Sequence, residues 1–294
     1  MDFGLALPNY RDGSSREGLE AAMDAAERLG FSIVWTTDHV LVEKESRDEY
    51  GRIFDAILTL AYLAARSATV KVATSVIVVP QRAAVVVAKQ LATLDVLSNG
   101  RLIAGVGVGW NRTEFENLGM GDRFHVRGAY TDEAIDLWRH LWSGSQKPFD
   151  GRFHHLTDFV FEPLPVQAGG IPIVVGGRSE HALRRAGRKG DGYHFSSSAP
   201  AGVVRRLPVV RAAATEAGRA MPWVSGRVRT VVGPKPADGY AVAGTPEEMA
   251  TELRAFAAAG VEHLAIALDE RDPGRYVAAL ERFAAEVIPE VAER

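Results

Sequence analysis

The stretch VKVATSVIVVPQRAAVVVAKQLATLDVLSNGRLIAGVGVGW, Val70 to Trp110, holds one complete structural unit. It opens with a β-branched run, Val70 to Val79, that Pro80 closes. β-Branched residues favour strands, and a run apolar at nearly every position belongs to a strand covered on both faces. Residues from about Ala83 to Leu97 then read as a helix, which Asn99-Gly100 ends as a C-terminal cap pair. Leu102 to Val108 is a further apolar strand with a glycine-rich exit. Strand, helix and strand in this order form a βαβ unit with parallel strands.

The alternation continues in both directions. Toward the N-terminus, Phe3 to Leu7 reads as a strand ending at Pro8-Asn9. Ser14-x-x-Glu17 has the pattern of a capping box, ahead of a helix with Leu19, Ala22, Met23, Ala26 and Leu29 on one face. Gly30 stops that helix, Ile33 to Trp35 gives the second strand, and a helix follows near Ile53 to Arg66. Toward the C-terminus come a helix at Thr131 to Trp142, a strand at Ile171 to Val175, and a helix at Glu180 to Arg188. Then follow a strand at Gly192 to Phe195, a helix at Val203 to Ala217 and a strand at Val228 to Val232. Thr245-Pro246-x-Glu248 joins a capping box to an N-terminal proline, and His263 to Leu268 is the last strand. An open doubly wound sheet alternates in the same way. Eight strands in 294 residues favour a closed (β/α)8 TIM barrel, one α/β domain over residues 1–294. The extended connections Asn111 to Arg127, Ser143 to Gln167 and Gly233 to Gly244 are assigned to its C-terminal face.

Composition narrows the function. A net charge of −3 gives no strong field for nucleic acid or an anionic membrane. Cysteine is absent, which removes disulfides, a thiol nucleophile and cysteine-based zinc sites. No basic leader or 18-residue apolar run is visible, so a cytoplasmic location is expected. The eight histidines show no metal-ligand spacing, and His154-His155 read as a surface loop. A serine hydrolase elbow, a P-loop and nucleic-acid modules are likewise absent. A barrel lyase wants a lysine at a strand end, whereas Lys71, Lys89 and Lys189 fall at strand starts or on helices.

Four segments carry chemistry. Asp38-His39 follows the second strand, on the catalytic face of a barrel. A histidine there orients a ring or moves a proton near neutral pH, or the pair merely caps the chain. In Gly105-Val106-Gly107-Val108-Gly109 the glycines bring backbone close to a ligand, or only allow tight packing. Trp110 stands where a dinucleotide fingerprint needs its third glycine. Gly176-Gly177-Arg178-Ser179 joins a strand to a helix, so its amides, guanidinium and hydroxyl suit a phosphate. The alternative is a plain turn capped by Ser179. Thr74-Ser75-Val76 places small polar residues in an apolar strand.

Several segments occur in one order over most of the chain: Leu29 to Ser32, Thr37 to Val40, Ala73 to Val76, Val79 to Arg82, Ala88 to Asp95, Leu97 to Leu102, Gly105 to Trp110, Val175 to Gly177 with Ser179, and Gly190 to Gly192. Together they resemble the bacterial luciferase-like superfamily, in its branch of F-420-dependent oxidoreductases. The resemblance implies a barrel holding a tricyclic ring, the deazaflavin coenzyme F-420 rather than FMN. It places Asp38 and His39 at the ring as the catalytic pair, and Ser75-Val76 behind it as a non-proline cis peptide. Gly107, Val108, Gly109 and Trp110 would line the ring and tail, and Gly176, Gly177, Arg178 and Ser179 would hold the phosphate. Sugar-phosphate dehydrogenases of this branch place a catalytic glutamate where Val108 stands, so this chain departs from them. The implied reaction is hydride transfer with a small organic substrate, reducing a C=C or C=N bond. The alternatives are an FMN-dependent monooxygenase with a separate reductase and a non-catalytic flavin-binding protein. Specificity is assigned to Ser143 to Gly170 and Phe195 to Gly244, and a homodimer stays open.

Overall fold

The computed structural model describes residues 1–11 and 13–292. Its centre is a closed ring of eight parallel strands: β1 (Asp2–Ala6), β2 (Ile33–Thr36), β3 (Lys71–Thr74, resumed at Ile77–Val78), β4 (Leu102–Gly107), β5 (Ile173–Gly176), β6 (Gly192–Ser196), β7 (Trp223–Val231) and β8 (His263–Leu268). Each pairs with its sequence neighbours, and β8 returns to β1 in the register Asp2↔His263 to Leu5↔Ile266. The fold is a (β/α)8 TIM barrel.

The helices are α1 (Arg16–Arg28), α2 (Ala56–Ala64), α3 (Ala84–Leu97), α4 (Arg112–Asn117), α5 (Arg127–Trp142), α6 (Glu180–Lys189), α7 (Pro200–Glu216), α8 (Pro246–Ala258), α9 (Pro273–Arg282) and α10 (Ile288–Ala292). The larger apolar layer lies between strands and helices, with Leu5, Val34, Val72, Ala104 and Val228 facing Leu60, Leu91 and Phe256. The smaller layer fills the lumen with Ile33, Trp35, Ala73, Ile103, Val174 and Ala265. Strand residues alternate between the two, as barrel geometry demands.

Five details differ from the sequence pattern. The cap of α1 is Ser15, whose hydroxyl accepts from the Gly18 amide at 3.0 Å, so the Ser14 box is out by one residue. The third strand is not continuous: Ser75-Val76 is a cis peptide, and the backbone pairs with β4 on either side of it. β7 starts at Trp223, five residues before Val228, because Ser225 and Gly226 break the apolar run while still pairing with β6. His154 is not at the surface; it bonds Glu133 Oε1 at 2.9 Å and Tyr130 Oη at 3.2 Å. Finally, α9 and α10 follow the last strand, and α9 packs against α1.

Candidate active site

All eight strands run the same way, so Thr37–His39, Ser75–Val76, Gly107–Trp110 and Gly176–Ser179 leave the barrel at one mouth. The turn after β2 is pinned first. Asn9 accepts from the Thr37 amide at 2.9 Å and donates to the Thr37 carbonyl at 2.8 Å. Asp38 is buried, and its carboxylate is fully engaged. It accepts from Arg82 Nη2 at 2.6 Å and from the Val78 amide at 2.9 Å, while Arg82 also reaches Asp55 at 3.1 Å. This ion pair fastens β2 to the second half of β3. With both carboxylate oxygens engaged, Asp38 braces the turn after β2.

His39 is held by a residue the sequence pattern does not single out. Glu114, on α4, accepts from His39 Nδ1 at 2.9 Å, the Val40 amide at 2.7 Å and Gln81 Nε2 at 3.1 Å. Burial raises the Glu114 carboxyl, but the bonds from His39 and Val40 and the charge of His39 outweigh it and hold the group at about 2. An ionised Glu114 requires the proton of a neutral His39 to sit on Nδ1. Nε2 is then an acceptor, and it has no partner among the described residues. The ring of Tyr50 lies 4.2 Å from that of His39, and Trp110, exposed at the rim, meets it edge-on at 6.0 Å. Asn111-x-x-Glu114 looks like a helix cap, and Asn111 does cap α4 at the Glu114 amide. The carboxylate, however, crosses to β2.

Ser75 is tied from inside the barrel. Its hydroxyl lies 2.9 Å from His194 Nε2, while His194 Nδ1 lies 2.9 Å from Ser225 Oγ. His194 stacks on Trp35 at 4.3 Å, and Trp35 donates to His263 at 3.0 Å. Burial pushes His194 well below its ordinary value, so it stays neutral. The glycines serve Val76. A Cβ on Gly107 would fall 2.6 Å from Val76 Cγ2, and one on Gly176 would fall 2.9 Å from Val76 Cγ1. Only glycine lets β4 and β5 close on that side chain.

Beyond β5, Ser179 caps α6 by accepting from the Ala182 amide. Ser179 and Val108 line a cavity of about 480 Å³ with His125, Arg127, Arg152 and His181. Arg127 is half-buried there and its Nε has no hydrogen-bond partner. Arg185 in the same cavity is neutralised by Asp132 at 2.6 Å. Arg178 is exposed and does not line this cavity; Gly177 reaches Tyr193, whose hydroxyl donates to its carbonyl at 3.1 Å. A second cavity, about 750 Å³, opens at the N-terminal ends of β5 and β6 and holds none of the expected site residues. No cluster of metal-ligating side chains and no membrane-length apolar helix occurs among the described residues.

Comparison with known proteins agrees with this architecture. Residues 1–238 match the luciferase-like monooxygenase family. An F420-dependent glucose-6-phosphate dehydrogenase of Amycolatopsis mediterranei is 33% identical over 58% of this chain, and the match spans 51% of that relative's length. Among solved structures, an F420-dependent secondary alcohol dehydrogenase superposes with a TM-score of 0.80 at 22% identity, covering 99% of both chains. The FMN-bound oxygenating constituent of 3,6-diketocamphane monooxygenase from Pseudomonas putida gives 0.83 at 18% identity, covering 99% of this chain and 98% of its own. At these identities the two structures speak for the fold.

Proposed function

Because the chain belongs to the luciferase-like monooxygenase family, we propose that it is an oxidoreductase that uses the deazaflavin F-420 to exchange hydride with a small organic substrate. The observation that carries this is the His39–Glu114 pair: an acceptor nitrogen held at the mouth by an ionised carboxylate. Relatives named as F420-dependent dehydrogenases support the choice of cofactor.

The residues present fit such a group. Val76, with Gly107 and Gly176 drawn in around it, offers an apolar face for a planar ring. Val108, Gly109 and Trp110 border it, while the Ser75 hydroxyl stays bonded to His194 inside the barrel. Ser179 with the Gly176-Gly177 backbone, joined by Arg127 and the rim cation Arg152, supplies donors and positive charge for a phosphate. When bound, a deazaflavin supplies a carbon centre that carries hydride. The chain binds and orients it, and His39 Nε2 takes up or returns the proton that balances the exchange. Glu114 stabilises the protonated ring of His39 while the proton is held there. Reduction of a C=C or C=N bond is the direction proposed.

Titration of the purified protein with F-420 and with FMN tests this. Tighter binding of F-420, and no oxygen consumption during turnover, is the expected result. Much tighter FMN binding with oxygen uptake would replace it with the monooxygenase reading.

A further inference from the structure

The lumen face of β7 carries Trp223, Ser225, Arg227 and Arg229 in alternation, because Val224 and Val228 belong to the outer core. Arg227 is the third of these, one step above Ser225 and His194 and so just below the mouth. Its Nη1 donates to Thr37 Oγ1 at 2.5 Å, and its guanidinium lies 5.9 Å from the Tyr10 ring centroid. Among the described residues, no carboxylate is within ion-pair distance of it.

Its neighbours differ. Arg11 is paired with Glu49 at 2.8 Å and with Asp269 at 3.0 Å. Arg229 is paired with Asp269 at 2.5 Å, and Arg82 with Asp38 and Asp55. Among the described residues, Glu49, Asp269, Asp38 and Asp55 are therefore held by other arginines. Elsewhere Arg227 faces Tyr50, the neutral His194 and Ser196. A half-buried guanidinium is costly without a counter-charge, and one bond to a threonine hydroxyl does not replace it. Tyr10 and Tyr50 stack at 5.9 Å beside it, and Tyr50 continues onto His39.

Position decides which ligand it serves. In a ring of eight strands, β3 and β7 stand on opposite walls. A planar group resting on Val76 of the β3 wall turns its free face to β7. We propose that Arg227 is a specificity-determining residue that binds a carboxylate on the substrate, with Tyr10 and Tyr50 flanking the substrate between Arg227 and His39. This rests on the function proposed above, since it takes the ring to lie against β3.

The test uses acetate and benzoate, each against its neutral amide, titrated calorimetrically into the protein with and without F-420. For at least one pair, the wild type should bind the acid about tenfold more tightly than the amide, the scale of one charge-assisted contact. Arg227→Ala should remove that preference, Arg227→Lys should keep part of it, and both should bind F-420 within about threefold of wild type. Thermal unfolding checks that each variant is folded. Acid and amide binding alike to the wild type, or a preference that survives Arg227→Ala, would overturn the proposal. So would a tenfold loss of F-420 affinity in Arg227→Lys, because the guanidinium would then belong to the cofactor. Failure of F-420 to bind the wild type would defeat the function proposed above, while the acid–amide comparison would still decide the part played by Arg227.

Discussion

The two walls of the barrel mouth pair their charges differently. On the wall built by β2, β3 and β4, every charged side chain in the site is matched: Asp38 to Arg82, Arg82 to Asp55, His39 to Glu114. On the facing wall, no acid among the described residues pairs with Arg227 of β7, and around β5 the half-buried Arg127 has an unbonded Nε. Ion pairs and hydrogen bonds that satisfy each other fix geometry and leave little to bind a newcomer. Groups left without partners are where a ligand gains most. On the function proposed above, the first wall positions the chemistry and the second receives the anions.

The largest effect should come from the matched wall's His39, whose Nε2 has no partner among the described residues. His39→Ala should lower turnover about 10²–10⁴-fold with the fold preserved. His39→Asn keeps a hydrogen bond to Glu114 but loses the titrating ring, and should lose a limb of the pH–rate profile. Wild-type turnover in both variants would make His39 another fixed brace, like Asp38, and the contrast within that wall would vanish.

Glu114 comes next. Its carboxyl is held at about 2, below its ordinary 4.5, so the folded state favours its ionised form. Its contribution is then complete above pH 4.5 and lost as pH falls toward about 2. Glu114→Gln should destabilise the protein by about 1–3 kcal/mol at neutral pH, the range for disturbing a buried hydrogen-bonded group. The gap to wild type should close as pH falls through that window, as followed by chemical denaturation. A gap independent of pH would mean that shape, not charge, is what Glu114 supplies.

Much of the matched wall is legible in the sequence, and the receiving wall is less so, for a physical reason. Barrel strands covered on both faces become apolar runs, and that signal marks β1 to β6 and β8. It fails on β7, where Ser225 and Arg227 face the lumen and, with Gly226 between them, break the run, so the most informative cation falls outside any expected strand. Glu114 escapes for a different reason. Asn111-x-x-Glu114 satisfies a local helix-cap pattern, and its partner His39 is 75 residues away, beyond any periodicity. The glycines at 107 and 176 are visible as a pattern, but their shared cause, the Val76 side chain, appears only when β3, β4 and β5 lie side by side. Asp38-His39 is visible as a pair, yet which member is free depends on Arg82 and Glu114.

The smallest effect concerns the anion cavity beside β5, where two arginines invite opposite expectations. The resemblance assigns the cofactor phosphate to Gly176, Gly177, Arg178 and Ser179, with Arg178 its one cation. The structure leaves that guanidinium exposed, outside the cavity that Ser179 and Arg127 share. An exposed charge is screened and gives up side-chain entropy to be fixed, so Arg178→Ala should weaken F-420 binding by less than about 1 kcal/mol. Arg127 is half-buried, braced by the Phe124 ring at 4.1 Å, and lines that cavity with no acid paired to it among the described residues. Arg127→Ala should therefore cost about 1.5–3 kcal/mol of F-420 binding, the range for a charge-assisted hydrogen bond. Thermal unfolding of both variants separates lost binding from lost fold. The reverse order, with Arg178 the larger, would return the phosphate to the Gly176–Ser179 loop alone. It would also leave Arg127 as a brace for Phe124.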